Sequence, residues 1–318
     1  MQQQIVHLLK KNPGYLSGEE ISRSLKMSRA GIWKYMQELR KEGYEILAVP
    51  HLGYKLISSP DKLLPQEIQF QLRTKTLGKK IIYEETVSST MDAAFNLGLE
   101  GAEEGTIVCA ESQTKGRGRL GRAWSSPKGQ GIYMSVILRP SWPPSEVARV
   151  TLLSAVVVAQ AVKNIAGVPA LIKWPNDVLI HHKKLAGILT ELSAEMDRVK
   201  FVVVGIGLNV NANLSQLPPG ATSLKVEAKR PFSRIEVIQE ILREFEKWYV
   251  RLDGEGFAPV RERFRELSVT LKKRIRVSDS AGSMEGEAID IDYDGGLLIR
   301  QDSGVIVKRM AGDVLEVR

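Results

Sequence analysis

The chain has 318 residues, 43% of them hydrophobic and 26% charged, which is typical of a globular protein with two or three domains. No apolar run reaches the ~20 residues that span a bilayer, and no basic-then-apolar leader opens the chain, so we expect neither a membrane partner nor a signal peptide. One cysteine, Cys109, excludes an internal disulfide framework and fits a reducing cytoplasm. Four histidines leave little material for a zinc site.

The positive charge is uneven along the chain. Residues 1–60 hold nine lysines and arginines against five acidic residues, which is half of the net charge of +8. The N-terminal segment is therefore the expected docking place for a polyanion.

The first sixty residues predict two helices, a basic helix and a hairpin. Ser17 and Glu20 have capping-box spacing, and Ser28 is a favourable N-cap for a third helix that ends near Gly43. Residues 44–57 alternate around a Pro/Gly turn, as a hairpin does. This order is that of a winged helix-turn-helix, which binds DNA through its second motif helix and its wing. The alternative is a small helical domain with a solvated charged face.

The third helix has an apolar stripe that we expect to face inward, formed by Ile32, Met36 and Leu39. We expect the other side to face DNA through Arg29, Trp33, Lys34, Gln37 and Arg40. Trp33 is unusual on a base-reading face, and packing against the wing is the alternative for it.

Residues 58–68 are expected to form a polar linker, followed by a domain in which strands alternate with helices at 90–97, 145–166 and 233–252. Short connections between strands, as in "DVLIHHKKLAGIL", predict antiparallel hairpins and a mixed α+β domain. The last 48 residues predict four or five short strands and a small β-barrel. We therefore expect three domains, at 1–62, 63–270 and 271–318.

"GRGRLG" at 116–121 has the spacing of a dinucleotide-binding turn, but its context excludes that fold. No helix can follow in "RAWSSPKGQG", and no acidic residue stands about 20 residues later. A glycine-rich loop that carries Lys115, Arg117, Arg119 and Arg122 instead suits a phosphate or carboxylate ligand. A disordered basic loop or a second nucleic-acid contact are the alternatives.

Three further motifs and a helix start also favour a polar ligand: "KWPND" at 173–177, "KKLAGIL" at 183–189, "GIGLNVN" at 205–211 and "SST" at 88–90. Asn209 could orient a phosphate or a hydrated Mg²⁺. Ser89 and Asp92 have capping-box spacing, so Ser89 either begins a helix or offers its hydroxyl to a ligand.

"GRGRLGRAW", "KWPNDV", "KLAGIL" and "GIGLNVN", in this order and spacing, resemble biotin protein ligases. With the winged helix in front and the β-domain behind, the chain resembles the bifunctional BirA type, which is also the biotin operon repressor. This resemblance implies a central ligase domain like that of class II synthetases and a C-terminal SH3-like β-barrel. It also implies a cytoplasmic enzyme that joins biotin to ATP with Mg²⁺ and transfers biotin to a lysine of the biotin carboxyl carrier protein, an acetyl-CoA carboxylase subunit.

The resemblance assigns roles to residues at matching motif positions. The catalytic set is Arg117, Arg119, Lys184 and Asp177, with Asp177 orienting the carrier lysine. The biotin set is Ser89, Thr90, Gln113, Gly116, Arg117, Lys184 and Gly187. The nucleotide set is Arg119, Arg122, Trp124 and Asn209. No side-chain cluster is expected to hold a metal, so Mg²⁺ would come with ATP, near Asn209. Arg318 is matched to a basic residue in a C-terminal region implicated in ATP and carrier contacts.

The repressor role implied by the resemblance needs a homodimer that forms when the adenylate binds and places two winged helices on a palindromic operator. We also expect residues 112–128 to be mobile without ligand. Two alternatives remain: a non-catalytic biotin-sensing regulator, and a ligase whose N-terminal domain does not bind DNA.

Overall fold

The computed structural model describes residues 1–279 and 282–317. These form two compact units, one of residues 1–71 and one that begins at Leu72. The predicted role of Arg318 lies outside the described residues.

The first unit has the predicted order of a winged helix-turn-helix, with one helix more. Its elements are α1 Gln2–Lys11, α2 Gly18–Leu25, α3 Arg29–Glu42, β1 Glu45–Val49, β2 Gly53–Ser58 and α4 Pro65–Gln69. β1 and β2 pair antiparallel and form the predicted hairpin.

The predicted helix caps of this unit are confirmed. Ser17 accepts a hydrogen bond from the backbone N–H of Glu20 at 3.1 Å, and Glu20 accepts one from Ser17 at 2.8 Å, which completes the capping box. Ser28 accepts from the N–H of Gly31 at 3.1 Å, and α3 ends at Gly43, whose φ of 106° suits glycine. The inward stripe is also confirmed, since three side chains are fully buried: Ile32, Met36 and Leu39.

The polar linker expected at 58–68 is wrong for its second half. Leu63 and Ile68 are fully buried, because α4 places them in the core of the first unit. Glu67 is buried beside them, where it accepts hydrogen bonds from the Tyr44 hydroxyl at 2.7 Å and from Lys10 at 2.5 Å. The compact unit thus extends to Gln71, past the expected boundary at residue 62.

The second unit is built on a seven-stranded mixed sheet of order β3-β4-β5-β9-β8-β7-β6. Its strands are β3 Ile81–Glu84, β4 Ile107–Ala110, β5 Gly131–Leu138, β6 Leu171–Lys173, β7 Asp177–Ile180, β8 Lys183–Ala194 and β9 Val199–Asn209. Only β3 and β4 pair in parallel, so the predicted mixed sheet with antiparallel hairpins is confirmed.

The helices of this unit are α5 Thr90–Leu99, α6 Ala148–Ala166, α7 Leu224–Ala228, α8 Arg234–Glu255 and α9 Ala258–Leu267. The three predicted helices are confirmed, whereas α7 and α9 were not expected. Residues 144–166, which include α6, are long and apolar enough to cross a membrane by length and composition alone. α6 packs instead against α8, α9 and β8, and eleven of its residues are buried, so it is a core helix of this unit.

The C-terminal part of the second unit is an antiparallel sheet of order β13-β12-β11-β10-β14. Its strands are β10 Arg274–Asp279, β11 Gly282–Ile291, β12 Leu297–Arg300, β13 Ile306–Arg309 and β14 Asp313–Glu316. The predicted run of short strands is thus confirmed. β14 lies at one edge and pairs with β10, and its residues Asp313, Val314 and Leu315 line the cavity described next.

Candidate active site

A cavity of about 330 Å³ brings together most of the residues that the sequence predicted. It lies between the start of α5, the arginine loop (residues 112–128), the turn between β6 and β7, the strands β8 and β9, and residues 312–315. Ten predicted residues line it: Ser89, Thr90, Gln113, Arg117, Arg119, Arg122, Trp124, Asp177, Lys184 and Gly187. Gly116 and Asn209 do not.

The start of α5 forms the polar end of the cavity. Gln113 accepts hydrogen bonds from the N–H of Thr90 at 2.8 Å and from its hydroxyl at 3.1 Å, and donates to Ser126 at 2.9 Å. Ser89 is the N-cap of α5 but makes no capping bond, and within the described part of the chain its buried hydroxyl has no hydrogen-bond partner. Ser89 was expected either to cap the helix or to offer its hydroxyl to a ligand. This geometry favours a ligand contact, since buried polar groups are normally hydrogen-bonded.

Glycines on β8 and β9 make room for the indole of Trp124. Gly187 lies opposite Gly207 on the neighbouring strand. A Cβ added at Gly187 would lie 3.0 Å from the indole of Trp124, and one added at Gly207 would lie 2.4 Å from it. The ammonium of Lys184 lies 5.5 Å from the centre of the same ring. Gly116 acts through the loop backbone: its carbonyl accepts from the N–H of Trp124 at 2.8 Å, and a Cβ there would stand 2.5 Å from the Trp124 carbonyl oxygen.

Two arginines of the loop are paired with carboxylates. Arg117 contacts Asp92 at 2.5 Å and Glu191 at 3.1 Å, and Arg122 forms an ion pair with Asp313. Asp313 is the first residue of β14, so this arginine joins the loop to the C-terminal sheet.

Arg119 bonds to neutral oxygen atoms instead. It donates to the side-chain oxygen of Asn176 at 3.1 Å and to the Gly312 carbonyl at 3.4 Å. Burial lowers the pKa of Arg119 from its ordinary value, while the nearby carboxylates of Asp313 and Asp177 oppose that shift. Arg119 is therefore partly shielded from water, which strengthens its attraction for an anion in the cavity.

Lys184 and Asp177 face each other at the cavity wall. Lys184 Nζ lies 2.6 Å from Asp177 Oδ1, and both residues come from the β7–β8 pair. A cation and a carboxylate in contact at one wall suit a reaction in which an anionic ligand binds first and an amine follows.

Asn209 occupies a structural position below the cavity. It is buried and donates to the Thr222 carbonyl at 3.0 Å. Its predicted contact with phosphate or metal stays a prediction. Among residues 1–279 and 282–317, no group of three or more His, Cys, Asp and Glu residues could hold a metal ion. A Mg²⁺ at this site would take its ligands mainly from bound phosphates, as Mg²⁺ commonly does.

The sequence did not assign two parts of the lining. Asn176, within "KWPND", receives Arg119 and donates to the Ile188 carbonyl at 2.7 Å. Its position beside Asp177 in a quoted motif was the available signal. Residues 312–315 also line the cavity, and no local sequence pattern marks them.

Comparison with known proteins finds three family matches along the chain. The Biotin/lipoate A/B protein ligase family matches residues 83–209, an HTH domain matches 1–55, and the Biotin protein ligase C terminal domain matches 270–315. The bifunctional ligase/repressor BirA of Bacillus subtilis is 43% identical over 92% of this chain and 91% of its own length. The chain belongs to the BirA family of bifunctional ligase/repressors.

Other members of this family and related structures agree with that assignment. BirA of Escherichia coli is 30% identical over 95% of this chain and 93% of its own length. The structure of biotin protein ligase from Aquifex aeolicus in complex with biotin and ATP superposes with a TM-score of 0.65 at 29% identity, and the match covers 76% of this chain and 99% of that one. The predicted family and fold class are thus confirmed.

The α3 helix of this BirA-family chain presents most of the predicted DNA-facing residues to solvent. Arg29, Trp33 and Lys34 are exposed, and the 59% exposure of Trp33 argues against packing on the wing. Gln37 is half-buried. Arg40 differs, because its guanidinium donates twice to the Ile46 carbonyl, at 2.7 and 3.2 Å, and so ties α3 to β1.

Proposed function

We propose that this chain is a biotin–[acetyl-CoA-carboxylase] ligase and a biotin-dependent repressor. It joins biotin to ATP, releases pyrophosphate, holds biotinyl-5′-AMP and transfers biotin to a lysine of the carboxyl carrier protein. The observation that carries the proposal is one cavity in which the polar end at Ser89, the half-buried Arg119 and the Lys184–Asp177 pair all meet.

The first step needs cations, because the biotin carboxylate must approach a triphosphate of the same charge. Arg119, Arg122 and Lys184 line the place where these groups meet, and Mg²⁺ accompanies the phosphates. Ser89 and Gln113 provide the hydroxyl and amide that a ureido ring can bond. Trp124 lies over Gly187 and Gly207 in the cavity lining, and we assign its aromatic face to adenine.

The second step needs a neutral amine, because an ammonium group has no lone pair for attack. A lysine with a pKa near ~10.4 is almost entirely protonated at neutral pH. Asp177 lines the cavity and accepts a hydrogen bond from a lysine ammonium in this structure, that of Lys184. We assign Asp177 the same contact with the carrier lysine, which it orients and from which it accepts the proton.

The repressor role rests on the first unit. α3 is an exposed basic helix with a hairpin wing beside it, the arrangement that reads a major groove. We propose that adenylate binding favours a homodimer in which two such helices meet a palindromic operator. The ligand can favour that dimer only through a higher affinity for it than for the monomer. The working compartment of such a protein is the cytoplasm.

Carrier labelling tests the ligase proposal. Wild type, Arg119→Ala and Lys184→Ala are compared for transfer of biotin to an apo carrier domain with ATP and Mg²⁺. We expect each substitution to slow labelling about 100-fold, because each removes a cation from the reacting phosphates. Lys200→Ala is the matched control, since it removes an ion pair to Glu195 at 2.7 Å that lies on the distant end of the sheet.

The labelling result also decides between the alternatives. ATP-dependent labelling that the two cavity variants lose, and the control keeps, supports the ligase. Tight biotin binding without any labelling supports the non-catalytic sensor. If the full chain binds no operator DNA and labelling survives deletion of the first unit, residues 1–71, the result supports a ligase whose N-terminal domain has another role.

A further inference from the structure

A buried ion pair stands at the base of the arginine loop, outside the cavity. Arg234 Nη1 lies 2.7 Å from Glu111 Oε2, and the side chains are 2% and 3% exposed. Neither residue lines the cavity. On the basis of the proposed ligase activity, we propose that Glu111 and Arg234 are positioning residues. They clamp the base of this loop and so orient its arginines toward the reacting phosphates.

The clamp joins both ends of the loop segment. β4 ends at Ala110 and β5 begins at Gly131, so residues 111–130 connect the two strands and Glu111 is the first residue of the connection. Arg234 bonds to Glu111 on one side and donates to the Gly131 carbonyl at 3.3 Å on the other. The N–H of Gly129 also donates to the Glu111 carbonyl at 3.1 Å. The guanidinium therefore bridges the two ends of the loop and adds to the β4–β5 pairing, in which Ala110 lies opposite Tyr133.

The same residues tie the loop base to β9, which carries the floor of the cavity. The Gln130 carbonyl accepts from the N–H groups of Val210 and Asn211 at 3.2 and 2.7 Å. The Asn211 side chain in turn exchanges two hydrogen bonds with the backbone of Phe232, at 2.8 and 3.0 Å, two residues before Arg234. The loop base, the end of β9 and the start of α8 thus form one hydrogen-bonded unit.

The segment between the two ends has little structure of its own. Its only helix or strand is the short turn at Arg119–Gly121. A connection of this length depends on its anchors, because loops longer than about 12–15 residues without regular structure are rarely held in one conformation. A buried ion pair adds little net stability compared with apolar side chains, but it fixes geometry through directional bonds. A buried ion pair at the base of the loop therefore indicates a role in holding the loop in one position.

Loosening the clamp should displace Arg119 and Arg122 without removing them. A displacement of about 1 Å at a reacting centre can cost about 100-fold in rate. We expect kcat for adenylate formation to fall by about 10-fold to 100-fold, while the KM for the carrier stays near wild type, since the carrier lysine meets Asp177 on β7. A role in stability alone would not give this split between kcat and KM.

The loop contains its own reporter of the clamp, because Lys115, Arg117, Arg119 and Arg122 are trypsin cleavage points. The experiment measures the rate of cleavage at these positions in the ligand-free full chain. The main variant is the double substitution Glu111→Leu with Arg234→Met, which leaves no buried charge unpaired. Arg234→Lys is the conservative variant: it keeps the positive charge but replaces the planar guanidinium, whose Nη1 contacts both Glu111 and Gly131, with a shorter side chain that ends in a compact ammonium.

The control removes a partly buried hydrogen bond of the same unit far from the loop. Tyr249→Phe loses the bond from the Tyr249 hydroxyl to Glu104 at 2.8 Å. We expect loop cleavage to rise about 10-fold in the double variant and less in Arg234→Lys, while Tyr249→Phe stays at the wild-type rate at equal thermal stability. Cleavage at the wild-type rate in the double variant overturns the proposal. If that variant does not fold, Arg234→Lys decides in the same way.

Failure of the clamp and failure of the proposed function give different results. The cleavage assay uses no substrate, so it reports on the clamp whether or not the chain labels a carrier. Wild-type protein that fails to label refutes the ligase proposal alone. Faster loop cleavage with unchanged kcat refutes the link between the clamp and catalysis.

Discussion

Replacing Gly207 with alanine tests the packing of Trp124 over β9. The new Cβ would stand 2.4 Å from Trp124 Cε2, 2.6 Å from its Nε1 and 2.8 Å from its Cζ2. Gly207 lies opposite Gly187 on one side and Tyr133 on the other, in the middle of the sheet, so its backbone has little freedom to move away. The indole has to move instead.

The size of the effect follows from these distances. Ordinary contact needs 3.4 Å or more, so the ring must shift by about 1 Å. Misplacement of this size can cost about 100-fold in rate, whereas overpacking a core typically costs about 1–3 kcal/mol of stability. Because Trp124 is on a loop that can move, we expect the substitution to affect activity more than stability. kcat/KM for ATP should fall between 10-fold and 100-fold, and the melting temperature should change little.

The assay is ATP-dependent carrier labelling over a range of ATP concentrations, together with thermal unfolding. Gly254→Ala is the matched control, since no atom lies within 4 Å of a Cβ at that helical position. A Trp124→Ala background completes a double-mutant cycle, in which Gly207→Ala should have little further effect. The reasoning is refuted if Gly207→Ala keeps wild-type kinetics, or if it causes the same loss without the indole.

Three further predictions address separate parts of the molecule. Ser89→Ala should raise the KM for biotin about 10-fold in labelling kinetics, because one hydrogen bond to the ligand is lost. It should not lower the melting temperature, since the hydroxyl has no partner in the described protein. An unchanged KM would contradict this prediction. Ser28→Ala should destabilise the first unit by about 1 kcal/mol in urea unfolding by loss of the α3 cap, whereas Ser28→Thr should be nearly neutral. Lys34→Ala should weaken operator binding, measured by titration at several salt concentrations. It should also reduce the slope of log affinity against log salt concentration by about 1. An unchanged slope would exclude Lys34 from the phosphate contacts.

The elements that the sequence predicted correctly are those with strong local patterns. β5 and β9 are continuous apolar runs, and α3 has both a cap and a buried stripe, so local chemistry decides each of them. α4 escaped prediction because its five residues begin with proline and follow a polar stretch. Its helical state depends on burying Leu63 and Ile68 in the first unit, which is a tertiary effect.

The candidate site divides in the same way. The motif residues were predictable, because glycine, arginine and lysine at those spacings point to an anion. Their partners were not: Arg122 meets Asp313 across 191 positions, and Arg234 meets Glu111 across 123. No periodicity relates residues so far apart, and only the folded second unit, with its helices and its C-terminal sheet, brings them into contact.

The pairing of cavity cations with protein carboxylates bears on the order of the proposed reaction. Lys184 is neutralised by Asp177 and Arg122 by Asp313, so a bound phosphate must compete with a carboxylate for each cation. When Lys184 turns to a phosphate, Asp177 loses its ion-pair partner and becomes an unpaired carboxylate whose side chain is only 24% exposed to water, which is unfavourable. The carrier lysine restores that counter-ion. The exchange that admits the nucleotide thus prepares the group that receives the amine, and this couples the second step to completion of the first.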